Sequence, residues 1–84
     1  MQFQGALVRE QGVEFAIIVV NQFILNDSFR SKKLVSQFQL HFKRSVVLMS
    51  QDSRGIPTYL GRSDLVRFLA HVPLNAITWR KFTL

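Results

Sequence analysis

Polar Gln2 and Gln4 alternate with apolar Phe3 and Leu7, and Arg9-Glu10-Gln11-Gly12 interrupts the pattern before apolar residues resume at Val13. A period of two followed by a glycine-ended turn predicts a β-hairpin. From Val13 to Val20 both parities are apolar: Val13, Phe15, Ile17 and Val19 on one side, Ala16, Ile18 and Val20 on the other. This is the pattern of a central strand covered on both faces. Val46-Val47-Leu48-Met49, within Ser45 to Ser50, repeats it.

Between these runs, Asn26-Asp27-Ser28 supplies N-capping side chains, and Leu34, Val35, Phe38 and Phe42 then recur at helical spacing. Arg30, Lys33 and Gln37 form the opposite stripe, so the spacing predicts an amphipathic helix over 28–41. Strand, helix and strand make a βαβ unit with parallel strands and a right-handed crossover. Phe23-Ile24-Leu25 fits either an extension of the first strand or a packed loop.

In the second half, Asp52-Ser53-Arg54-Gly55 reads as a turn and Ile56 to Leu60 as a short strand. Its Pro57 lacks a ladder donor and belongs at an edge or at the strand's start. Gly61 breaks the chain, Ser63 is the expected cap of a second helix, and Asp64 suits its positive end. Leu65, Phe68, Leu69 and Val72 form the buried stripe, which Pro73 stops. Ala76 to Leu84 reads as a last strand at an edge. The expectation is one α+β domain over residues 1–84: a small mixed sheet in ββαββαβ order, packed with two amphipathic helices. If both helices lie on one face, the other apolar face needs a second subunit, which argues for a homodimer.

Composition agrees with a folded chain, since 48% hydrophobic and 19% charged residues lie far from the disordered range. Cysteine is absent, which removes disulfides, thiol nucleophiles and cysteine metal sites and fits a reducing compartment; cytoplasm is the expected location. No apolar run is long enough to span a membrane. The formal charge of +6 favours polyanions, but the basic residues are scattered along the chain.

Candidate chemistry is sparse. Gly61-Arg62-Ser63, joined by Arg54 if the hairpin brings it near, is the candidate anion site at a helix start. Arg30, Lys33, Lys43 and Arg44 form the candidate basic surface, and Arg80 with Lys81 beside Trp79 adds charge and a stacking ring. Tyr59, Trp79 and Phe82 are the candidate interface, because large aromatics dominate contact energetics. His41 and His71 sit at helix ends without metal-ligand spacing, and Asp52 with Asp64 is the sole carboxylate pair worth inspecting. No nucleotide, metal or nucleophile-elbow motif occurs, so no cofactor and no catalytic residue is assigned. Residues 55–61, followed by Asp64-Leu65, resemble the proline–strand–helix close of glutaredoxin-like domains over under a third of the chain. The upstream order differs and the redox cysteines are missing, so no function is carried across. The functional expectation is a non-catalytic, self-associating interaction domain, with basic-surface nucleic-acid binding as the alternative.

Overall fold

A computed structural model describes residues 2–10 and 12–83. Its strands are β1 (Gln2–Glu10), β2 (Val13–Val19), β3 (Ser45–Gln51), β4 (Pro57–Leu60) and β5 (Arg80–Thr83), and its helices are α1 (Gln22–Asn26), α2 (Ser28–Phe42) and α3 (Ser63–Leu69). They build a five-stranded mixed sheet of order β4-β3-β2-β1-β5, an α+β fold. No helix among the described residues is long and apolar enough to cross a membrane.

β1 and β2 form the expected hairpin, with Glu10 opposite Val13 and Gly12 at a φ of 81°, a left-handed conformation that favours glycine. Gln11 of that turn lies outside the described residues. β2 and β3 run parallel, Ala16 beside Val46 and Ile18 beside Leu48, and occupy the middle of the sheet as their doubly apolar pattern predicts. β4 is the edge strand that Pro57 demands. The Asp52 carboxylate shapes the turn before it by accepting from the backbone N–H of Arg54 (2.8 Å) and of Ile56 (3.0 Å).

The helices lie on opposite faces. α1 and α2 cover Ala16, Ile18, Val46 and Leu48, with Phe38 of α2 buried among them. α3 covers Phe15, Ile17, Val47 and Met49 through Leu65 and Leu69. Both faces of the central strands are therefore closed by this chain itself, and the expected need for a second subunit to hide one of them disappears. The reason lies in the route: the chain crosses back from β4 at one edge to β5 at the other, and α3 makes that crossing over the face α2 leaves free.

Three local expectations are corrected. Phe23-Ile24-Leu25 forms neither strand nor loop but the core of α1, capped by Asn21, whose side chain accepts from the Ile24 N–H (2.9 Å). α3 ends at Leu69, short of Val72, because His71 and Val72 donate to Phe68 and Leu69 in tighter bonds that close the last turn. The last strand starts only at Arg80. Pro73 leads into a 3-10 turn over Leu74–Ala76, Ile77 and Trp79 turn into the core beneath α3, and pairing begins where Arg80 meets Gly5. Leu84 lies outside the described residues.

Candidate functional site

The candidate anion site is occupied by the chain's own carboxylate. Arg62, at the start of α3, donates from Nε to Asp64 Oδ1 (2.8 Å) and from Nη2 to Oδ2 (2.6 Å), while Nη1 reaches Ser45 Oγ (3.5 Å). Ser63 does not cap the helix: the N-cap position belongs to Arg62, which makes no side-chain cap bond. Arg54 stays in the β3–β4 turn with Asp52 (3.7 Å), at the far end of β4 from Gly61 and Arg62. Nor do Asp52 and Asp64 meet, for the same reason. Gly61 has a packing role, since a Cβ there would lie 3.0 Å from Val47 Cγ2 and 3.2 Å from Val47 Cα.

The hydrogen bonds from Arg62 hold the Asp64 carboxyl at about 2, well below the usual carboxylate range. The stabilisation from a depressed carboxyl is present above its unfolded value near 4 and is lost as pH falls through about 2. Between those limits the native chain should lose more stability than Asp64→Asn, as read by urea unfolding at each pH. Equal losses in the two proteins would show that the ion pair does not form.

The four residues of the candidate basic surface fall into two groups. Arg30 and Lys33 lie on the first half of α2, and Arg30 pairs with Asp27 (3.5 Å). Lys43 and Arg44 follow the far end of the helix, about 20 Å away at 1.5 Å per residue. Arg44 is engaged there, Nη1 lying 3.3 Å from Glu14 Oε2 and Nε donating to the Phe42 carbonyl. Glu14 also accepts from Arg9, and the two arginines hold its carboxyl below the usual range, Arg9 having the larger effect. Trp79 joins neither group.

The three aromatics chosen as an interface complete two different cores. Trp79 packs under α3 and donates from Nε1 to the Leu74 carbonyl (3.0 Å). Tyr59 packs against the same core. Phe82 faces the other way, stacked on Phe3 (centroids 5.4 Å apart, 17° between planes) and edge-on to Phe42 (5.5 Å). All three are half-buried, and Phe82 lies on the opposite face of the sheet from the other two.

The Tyr59 hydroxyl is buried without a hydrogen-bond partner among the described residues, and burial raises it above the usual tyrosine value. Tyr59 is the sole tyrosine, so an absorbance titration of the native chain should have its midpoint above 10 and return to about 10 on unfolding. Stability should accordingly be retained below pH 10 and lost as pH rises through the higher native value. Tyr59→Phe removes the unpartnered hydroxyl and should leave stability unchanged or raised by up to about 1 kcal/mol in urea unfolding.

Exposed apolar side chains lie elsewhere. Phe23 of α1 is 85% exposed, and Phe29 and Leu40 of α2 are 76% and 79% exposed. On α2, Phe29, Lys33, Ser36 and Leu40 follow one another at steps of four, three and four residues, a single stripe pointing away from the sheet. The signal was present in the sequence as two apolar residues off the buried face. His41 is exposed, edge-on to Phe42 (4.9 Å), and His71 is exposed beyond α3, far along the chain from it. No group of three or more His, Cys, Asp or Glu able to hold a metal ion occurs among the described residues. No family model matches the chain, and neither the curated proteins nor the solved structures contain a match.

Proposed function

We propose that the protein is a non-catalytic interaction domain that pairs with a second copy of itself through the outer stripe of α2. The observation that carries this reading is the exposure of Phe29 (76%) and Leu40 (79%) on the side of the helix opposite its core face. In an antiparallel two-fold pairing, Phe29 of one copy meets Leu40 of the other, and Lys33 meets the small Ser36. Phe23, Phe29 and Leu40 together hide on the order of 500 Å² per copy. That is below the about 800 Å² of a standard interface, so the expected dimer is weak, in the micromolar range. Arg30, Lys32 and Lys33 of the two copies repel, so association should tighten as salt rises.

A second reading has its own observation. Exposed Phe23 and Phe29 beside Arg30, Lys32 and Lys33 combine stacking rings with cations, as single-stranded nucleic-acid surfaces do. Affinity for such a strand falls with salt, the opposite trend. Light scattering across a concentration and salt series, with and without single-stranded RNA, separates the two. The dimer reading expects a mass that rises with both variables and a monomer for Phe29→Ser/Leu40→Ser. Because the native chain has no cysteine, S36C should also give a covalent dimer on mild oxidation, and L7C should not. A monomer at millimolar concentration in high salt would overturn it.

A further inference from the structure

We infer that the cleft between α2 and β4 docks an amphipathic helix of another protein, one that carries acidic residues along a flank. Ser36 borders both surfaces, and the other residues the inference uses lie outside the outer stripe. Strands lie about 4.8 Å apart and a helix is about 10 Å across, so one helix covers two strands. α2 sits over the centre of the sheet, and on that face β4 is left bare. Leu60 of β4 pairs with buried Leu48 and points to the same side, yet is exposed. The other side of β4 differs, because Tyr59 is already packed into the core beneath α3.

The cleft has a volume of about 510 Å³ and a floor made by Leu25, Val35 and Leu60. Its α2 wall presents Ser28, Lys32 and Ser36 at steps of four residues, a ridge of the kind that packs against another helix, kept low by its two serines. Gly61 completes the lining and carries no side chain of its own. A strand could not use the site equally well, since Pro57 removes a donor from the β4 edge.

Charge selects the occupant. Among the described residues Lys32 is the one ionic side chain in the cleft lining, and α2 carries Arg30, Lys32 and Lys33 with no Asp or Glu from Ser28 to Phe42. A second copy of α2 in the cleft would set lysine against lysine. A helix with Leu or Phe toward the floor and Glu or Asp toward Lys32 satisfies both the apolar surface and the charge.

The test is selection from a displayed library of helical peptides of about 15 residues, four turns long, randomised among Leu, Ser, Glu and Lys. Enriched peptides should carry Leu at helical spacing with Glu on one flank, and should shift the backbone amides of Leu25, Val35 and Gly61 but not of Leu40. Leu60→Glu should abolish binding while circular dichroism stays native. Lys32→Glu should weaken it about tenfold and turn selection toward Lys-bearing peptides. Phe29→Ser/Leu40→Ser should bind the peptides normally, which keeps this inference separate from the dimer. Absence of enrichment, enrichment without acids, or shifts centred on Phe29 and Leu40 would each overturn it.

Discussion

Phe38→Ala should cost about 3–5 kcal/mol, the range for deleting a buried aromatic side chain. Phe38 is buried on the inner side of α2, its ring 4.8 Å from Phe3 and 6.3 Å from Phe42. Phe3 in turn stacks on Phe82, so this group of rings joins α2, β1 and the edge strand β5. Total stability for domains is about 5–15 kcal/mol, and one of this size belongs at the low end. The variant should therefore stand close to its unfolding midpoint in water. Phe38→Leu, which keeps most of the volume, should cost less than about 2 kcal/mol. Urea unfolding followed by the fluorescence of Trp79, the sole tryptophan, reads this well because Trp79 lies under the other face. A lowered midpoint there means that the two cores unfold together, and an unchanged one would mean that they do not.

Gly5→Ala should cost about 3 kcal/mol, the upper end for overpacking, although it adds a single methyl group. A Cβ at Gly5 would lie 2.5 Å from the Ile17 carbonyl oxygen and 3.4 Å from both Ile18 Cδ1 and Phe82 Cε2. The first of these contacts is with backbone and cannot be relieved by a rotamer. β1 is held on both sides at this point, by Ile18 of β2 and Arg80 of β5, so relief requires the ladders to part. The expected result is a lower urea midpoint together with faster amide exchange in β5, whose pairing depends on that position. Gly12→Ala is the useful comparison: its cost comes from a positive φ in open space and should be near 1 kcal/mol. A Gly5→Ala cost no larger than that of Gly12→Ala would mean that the strands part more easily than their packing implies.

The local elements were largely legible because their signals are local. Two runs with both parities apolar can be stable only where both faces are covered, and β2 and β3 are the central parallel pair. Asp27 accepts from the Arg30 N–H (3.1 Å) at the start of α2, and Pro57 lies at an edge. The short segments were harder. Five residues of α1 carry too little periodicity to mark a helix, and what decides them is the Asn21 cap together with the packing of half-buried Leu25 against the core. Ser63 offered a capping hydroxyl, but the approach of Gly61 to β3 and the pull of Asp64 on Arg62 placed the helix start differently.

The candidate surfaces were read less well, and the reason is one of parity. Tyr59, Trp79 and Phe82 look alike in sequence, yet their faces are set by the register of short strands and by a 3-10 turn, none of which has a strong pattern of its own. Phe29 and Leu40, on a helix with a clear period, were detectable as apolar residues outside the buried stripe.

By itself, then, the amino-acid sequence determined the five strands and the two longer helices, the central pair of strands and the absence of any thiol chemistry, because capping, backbone restriction and hydrophobic period act within a few residues. The tertiary structure alone decided that the helices close opposite faces, that Arg62 and Arg44 turn to the chain's own carboxylates, and that β4 is left bare beside α2. Those outcomes depend on which strands become neighbours, a choice set by long-range packing across the whole sheet, on which a window of ten residues carries no information.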